Sequence, residues 1–347
     1  MVNSTPFSSP RLHWWKPLLF LLVVIIGLWY VKWSPYYDKA VSAASTHSLG
    51  HSLLAEGARQ PWQAALDYAA VYFLAVWKAA VLGMLLGSLV QVLIPRQWLL
   101  RHLGHSRFSA TLSGATLGLP GMMCSCCAAP LTVGMRRAQV QSGAAMAFWL
   151  ANPLLNPATL IFMGFVLGWH FAAIRMLAGV AMVLGIGWMA QRWQPENRAV
   201  SPASAAPAAL RTEDGFLQHW LRVLWTLFWN TVPLYVAAVL LLGAARVWIF
   251  PQWDGAMSNS LWWVLAMAVA GCLFVIPTAA EIPIIQSTLL AGMGIAPALA
   301  LLVTLPAVSL PSLLMLHRVF STRVLLLTFL LVAASGALLG SLAVLFA

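Results

Sequence analysis

The sequence predicts an all-α polytopic membrane protein made of two inverted-topology repeats, each of three spans plus a re-entrant or broken-helix hairpin, with one extra N-terminal span. Three observations predict it: the composition, two apolar runs interrupted by Gly and Pro, and a recurrence of the same pattern 153 residues along the chain. Of 347 residues, 61% are hydrophobic and 8% are charged, which excludes a soluble domain of this size. The apolar runs are too long for transmembrane β-strands, whose segments are about ten residues of alternating polarity.

Taken in order, Pro17 to Val31 follows Arg11 and Lys16 and continues through Tyr30-Val-Lys-Trp33 without a small-residue cleavage site behind it, so it is expected to be a retained span. Further spans are expected over residues 66–94, 140–168, 171–192, 220–250, 286–314 and 324–346. The runs at 109–134 and 261–284 carry Gly118, Pro120, Gly121 and Pro130 in one, and Gly271, Pro277 and Pro283 in the other. Proline removes a helix hydrogen bond and clashes with the preceding turn. Irregular backbone at membrane depth survives only where protein or water supplies partners, so both runs are expected to be hairpins.

A hairpin at 109–134 also keeps Arg96, Arg101, Arg107, Arg136 and Arg137 on one face. Placing that face in the cytoplasm puts the N-terminus there, together with Arg192, Arg198, Arg211, Arg222, Arg318 and Arg323. The exceptions outside are Lys32, Lys39 and Arg59 in the first loop, with Arg175 and Arg246 near span ends. The formal charge of +11 is scattered over loops, which fits orientation in a membrane better than nucleic acid as a partner.

In the recurrence, Pro130 corresponds to Pro283 and Pro153 to Pro306. The same shift carries 66–94 onto 219–247, 140–168 onto 293–321 and 171–192 onto 324–345, and the exits Ile94-Pro-Arg-Gln-Trp98 and Phe250-Pro-Gln-Trp253 are alike. Three crossings per unit invert the second unit relative to the first, an arrangement that in secondary transporters puts the solute where the repeats meet. The expected divisions are residues 1–65 for the N-terminal span and outer loop, 66–192 for the first unit, 193–218 for a cytoplasmic linker and 219–347 for the second unit. Gln194 to Gly215, rich in Pro, Ala and Ser, supplies the flexible linker. Arg96 to Gly104 is expected to be a short interfacial amphipathic helix.

The densest chemistry is Gly121-Met-Met-Cys-Ser-Cys-Cys-Ala-Ala-Pro130. Three readings of Cys124, Cys126 and Cys127 stay open: soft ligands for a thiophilic solute such as a trivalent arsenic compound or Cu(I), a Cys124/Cys127 redox pair, or tight packing of a hairpin by small polarizable side chains. Asn152-Pro153 and Asn156-Pro157 put two amides one helical turn apart where prolines open the hydrogen bonding, which suits either solute contact or capping of a broken helix. Glu281 is deep in an apolar stretch and is expected to couple protons or bind a cation, either alone or paired with Lys78. Subtracting 153 from Glu281 lands on Ala128 beside Cys127, so the two hairpins are expected to face each other. Thr278 and Gln286 are near Glu281 in sequence, and Ser309 with Pro311 fills the place of the Asn-Pro pairs in the second half. His47 and His51 have no third ligand nearby and are expected to be solvated, so no metal site and no cofactor are assigned.

Met123-Cys-Ser-Cys-Cys-Ala-Ala-Pro130, Gly134-Met-Arg-Arg137, Ala147-Phe-Trp-Leu-Ala-Asn-Pro153 and Asn156-Pro-Ala-Thr159 together resemble the predicted-permease family that includes the ArsP organoarsenical efflux permeases. The resemblance covers nearly the whole chain and implies a multi-pass permease of the bacterial inner membrane rather than an enzyme. Its ArsP members imply export of trivalent organoarsenicals by thiol contact, carried onto Cys124, Cys126 and Cys127. No G-x-x-x-x-G-K-S/T motif is present, which favours proton coupling over ATP. The partners expected are the lipid bilayer, a small-molecule solute and further copies of the chain. The rival readings are a membrane thiol oxidoreductase using Cys124 and Cys127, and a permease for a small anion without thiol chemistry.

Overall fold

The computed structural model describes residues 15–46, 61–94, 108–194, 216–249, 259–290 and 292–346, and all regular structure among them is helical. The expected interfacial helix at Arg96 to Gly104, the linker beyond Gln194, His47 and His51, and the exits after Ile94 and Ile249 lie outside the described residues. Seven helical segments are long and apolar enough to cross a membrane, which makes this a multi-pass membrane protein.

The first segment is α1 (Trp15–Leu28), a π-helical turn (Trp29–Trp33) and α2 (Ser34–Thr46). The helix therefore runs on through the region expected to be the start of an outer loop. Lys32, expected outside, is 5% exposed and buried in the bundle instead. The cause is tertiary: α2 packs on the later helix α7, and Tyr36 makes an edge contact with Phe162 at 5.8 Å between ring centroids.

Helix α3 (Pro61–Leu93) is followed by a short arm α4 (Phe108–Gly118), a 3-10 turn (Leu119–Gly121) and a second arm α5 (Ser125–Arg137). Neither arm reaches the roughly 20 residues a full crossing needs. The next span is broken into α6 (Ser142–Leu154) and α7 (Pro157–Val166), and α8 (Trp169–Trp193) completes the first half. The second half holds α9 (Phe216–Ile249), arms α10 (Leu261–Leu273) and α11 (Glu281–Leu290), the broken pair α12 (Ile295–Ala307) and α13 (Leu310–Leu316), and α14 (Thr322–Phe346). Residues 286–290, expected to open a span, belong to the second arm α11.

Glycine contacts fix the directions of the arms. Gly114 lies against Ala144 and Gly118 against Phe148 and Ala151, so α4 runs parallel to α6. The short turn after Arg137 and the bond from Trp149 to the Ser125 carbonyl make α5 antiparallel to α6. Hence α4 and α5 form an antiparallel hairpin. The same holds in the second half: Asn259, just before α10, accepts from Ala296 N–H while Gly271 near its end meets Thr304 and Leu305, so α10 runs parallel to α12, and the tight turn from Met293 N–H to the Thr288 carbonyl folds α11 back against α12.

The shift of 153 recurs in the structure. It carries α6 onto α12 and α8 onto α14 at both ends, and the start of α4 onto the start of α10. Gly187 packs on Thr111, Gly143 and Ala147, while Gly340 packs on Val264, Ala296 and Ala300, the residues 153 further along. Small residues allow these close approaches where hydrophobic driving force between helices is weak. The two long helices α3 and α9 pack antiparallel, joined by Tyr72 to Tyr235 at one end and Ser88 to Trp220 at the other.

Candidate functional site

The hairpin tips meet in a narrow cleft between the two halves. Cys124, Ser125 and Pro153 line it from one half, and Pro277, Thr278 and Pro306, the residues 153 further along, line it from the other. Glu281 also lines it. The expectation that the cysteine hairpin and the Glu281 hairpin face each other agrees with this geometry.

The first tip is held in place from three sides. Along α3, Gly83 and Gly87 let the Cys127 and Pro130 carbonyls approach closely, which seats α5 on α3. Trp149 Nε1 donates to the Ser125 carbonyl at 2.8 Å, and Trp33 Nε1 to the Pro120 carbonyl at 3.1 Å. Met122 turns the corner with φ 48°, the left-handed region that non-glycine residues rarely occupy. Strain of this kind persists only where the surroundings over-determine it.

Cys124 is the N-cap of α5, so all three thiols gather at that helix end. Cys124 Sγ is 3.1 Å from Cys126 Sγ and 3.0 Å from Cys127 Sγ, and all three sulfurs lie within 4.8 Å of one another. They are free thiols, buried together with Cys272. Tyr72 Oη is 2.9 Å from Cys126 Sγ, and Tyr235 donates to Tyr72 Oη at 2.7 Å, so α3 and α9 both reach the thiols. Tyr68, a turn before Tyr72, donates to the Val275 carbonyl in the second hairpin. Among the described residues this trio is the one cluster of Cys, His or acidic side chains close enough to share a metal ion or a soft centre. Three clustered sulfurs are soft donors, suited to thiophilic atoms rather than to hard cations.

Glu281 is 2% exposed at the start of α11, and its partner is not Lys78. Lys78 is on an exposed face of α3, with its ammonium 5.6 Å from the Tyr30 ring and 5.8 Å from the Trp77 ring. Arg175, expected near the outer end of a span, is instead fully buried on α8 and donates from Nη1 to Glu281 Oε1 at 2.6 Å. Its Nη2 donates to the Pro153 carbonyl at 2.7 Å. That carbonyl belongs to the break between α6 and α7, where a helical partner is missing. The guanidinium fork thus ties both halves and the helix break together, which a point-charge ammonium does less well.

The Asn-Pro pairs divide their roles. Asn156 caps α7, its side chain accepting from Ala158 and Thr159 N–H at 3.0 and 3.3 Å, with Pro157 in the first turn. Ser309, at the matching position, caps α13 through a capping box with Ser312, and its hydroxyl is 3.1 Å from that of Ser125. Asn152 Nδ2 donates to the Phe148 carbonyl at 2.9 Å, and its Oδ1 faces Gly121 in the hairpin turn. Asn152 Oδ1, Asn156 Nδ2, Thr159 Oγ1 and Arg175 Nε are buried without a hydrogen-bond partner, which leaves unused polar capacity along this break.

Sequence reasoning missed two site residues. Arg175 follows the Asn-Pro breaks whose freed carbonyls need a donor, and that was its signal. Lys32 donates to Thr278 Oγ1 at 3.2 Å and Tyr36 Oη at 3.3 Å, and the only hint was its spacing of four from Tyr36.

The predicted-permease family ArsP_1 matches residues 61–345. UPF0718 protein YraQ of Escherichia coli (strain K12) is 65% identical over 347 residues, covering 99% of each chain. UPF0718 protein MJ0584 of Methanocaldococcus jannaschii is 22% identical over 310 residues, 70% of this chain and 84% of that protein. A Streptococcus mutans protein named as a subunit of a two-component membrane permease complex is 23% identical over 255 residues, 71% of this chain and 83% of that one. No solved structure matches. With its seven apolar helices and a family match from α3 almost to the end of α14, this chain belongs to the ArsP_1 family of predicted permeases.

Proposed function

We propose that the chain is a secondary-active permease that exports a small thiophilic or sulfur-containing solute, organoarsenical-like, in exchange for protons. The observation that carries this reading is the cleft itself, where Cys124 of a buried three-thiol cluster and the buried carboxylate Glu281 line one space between the halves. The antiparallel packing of α3 and α9, which the 153-residue shift relates, supports two inverted units over 66–192 and 219–347. Burial of Lys32 and Arg175 removes two exceptions from the outer face, which supports a cytoplasmic N-terminus in a bacterial inner membrane.

Cys124, Cys126 and Cys127 hold the soft centre of the solute. Glu281 carries the coupling: its protonation dissolves the charge attraction to Arg175, and the guanidinium then lets go of the Pro153 carbonyl at the break between α6 and α7. Release of that latch loosens one half against the other. Asn152 and Asn156 support the break, and Lys78, away from Glu281, has no part in this step.

The test is uptake of trivalent methylarsenite into everted membrane vesicles, with and without a proton gradient. Gradient-dependent accumulation that is lost in Cys124→Ala, Cys127→Ala and Glu281→Gln is the expected result. A folded parent protein that accumulates none overturns the organoarsenical reading. A second reading, oxidation of Cys124 and Cys127 to a disulfide with two electrons and two protons passing to a quinone, is favoured by their 3.0 Å separation. Mass-tagging of free thiols in intact cells under oxidising and reducing conditions separates the two, because a permease keeps all of its thiols free in both.

A further inference from the structure

Among the described residues, the charge around the cleft does not balance. Glu281 is committed to Arg175 at 2.6 Å, so that pair contributes no net charge. Lys32 remains, 5% exposed, with two neutral hydroxyls and the Tyr36 ring, 5.2 Å from the ammonium, as its partners. The other acidic residues among those described, Asp38 and Asp67, are exposed, and no described carboxylate lies within ion-pair distance of Lys32. Burying an ammonium without a counter-charge is expensive, and hydroxyl groups only partly replace the water it loses. A lysine ammonium has three N–H donors, and Tyr36 and Thr278 take two.

Thr278 lines the cleft, so the ammonium sits one hydroxyl away from the solute space. From the other half, the N-terminal end of α5 points its partial positive charge there, and Cys124 caps it without a side-chain hydrogen bond. The lysine is delivered by the π-helical turn Trp29–Trp33, a distortion found mostly as single turns inside α-helices and frequently at functional sites.

We propose that Lys32 is a solute-binding residue and that the solute is a small anion with a soft, sulfur-bearing end. The thiols donate S–H hydrogen bonds to the soft sulfur end, a part that rests on the thiols reaching the solute as in the function proposed above. The Lys32 ammonium and the α5 N-terminus take the negative charge, a part that rests on the charge imbalance alone. The N-terminal span thereby becomes a component of the binding site rather than an accessory helix beside two repeats.

The test is calorimetric titration of the purified full-length protein with thiosulfate, with sulfate, which differs from it by one terminal atom, and with neutral methylarsenite. The parent is expected to bind thiosulfate saturably. Lys32→Met should weaken that binding by about tenfold or more, Lys32→Arg should retain most of it, and methylarsenite should bind Lys32→Met as it binds the parent. Thr278→Val, which keeps the charge but removes its hydroxyl partner, should give a smaller loss. A structural role for Lys32 predicts the opposite pattern, with unfolding of Lys32→Met shifted to lower temperature and thiosulfate binding of the folded fraction unchanged. Equal affinity of parent and Lys32→Met for thiosulfate overturns the proposal, as does a parent that binds methylarsenite but neither anion. Equal affinity of the parent for sulfate and thiosulfate, both lost in Lys32→Met, upholds the anion and removes the thiols from its recognition, which counts against the function proposed above and not against Lys32.

Discussion

The two hairpins share a scaffold and differ in chemistry. Each consists of two short antiparallel arms against a broken span, each packs a glycine, Gly118 or Gly271, on that span, and each lines the central cleft. Each tip also holds a non-glycine residue at positive φ, Met122 at 48° and Ala279 at 70°. The first tip carries three thiols and no charge, whereas the second carries Glu281 and no thiol in the cleft. The same packing therefore recurs in the frame of both halves, and the two tips differ at a few positions, with thiols on one side of the cleft and a carboxylate on the other. Neither tip contains both.

The strongest way to break this comparison is to unbalance the charge side alone. Arg175→Met leaves Glu281 buried without its partner and should cost about 3–5 kcal/mol in unfolding measured in detergent, while Arg175→Met combined with Glu281→Met should recover most of it. Full additivity of the two substitutions would mean that the pair is not a unit. A smaller effect is expected from the shared frame. Gly118→Ala pushes a methyl group at the Phe148 carbonyl, and Gly271→Ala pushes one at the Thr304 hydroxyl. Each should cost about 1–3 kcal/mol, with the first the larger because backbone yields less than a side chain.

The thiol side is sharpened by Tyr72→Phe, which removes the hydroxyl between Cys126 and Tyr235. A loss of about 1 kcal/mol is expected, together with faster alkylation of Cys126 by a small maleimide followed by mass spectrometry. The least effect belongs to the two caps. Asn156→Ala should cost about 1 kcal/mol of thermal stability, and Asn156→Ser, which copies the cap at Ser309, only a few tenths. A large penalty for Asn156→Ser would assign the amide a role beyond capping, through the Nδ2 that has no partner.

Much of the frame was legible before the structure. Pro130, Pro153, Pro283 and Pro306 are visible in sequence because proline acts on its own helix, through the missing N–H and the clash one turn back. Seven spans were readable for the same local reason, since length and polarity act residue by residue. The partnership of the cysteines with each other was legible as well, because three thiols within four positions cannot be far apart.

The partners across the cleft were not legible. Lys78 and Arg175 are both single cations on long apolar helices, and only the packing angle of α8 decides that Arg175 reaches Glu281 while Lys78 faces outward. Lys32 is similar: a cation at the end of the first apolar run was expected in the outer loop, and the packing of α2 on α7 carries the helix past it and buries it. The sequence by itself determined the class of the protein, the number of its spans, the places where they break and the two hairpins, because local polarity, chain length and proline geometry are properties of short segments. The tertiary structure alone decided which charges are buried and what they touch, because that depends on contacts between residues such as Arg175 and Glu281 or Lys32 and Thr278, far apart in the chain, whose meeting no local pattern encodes.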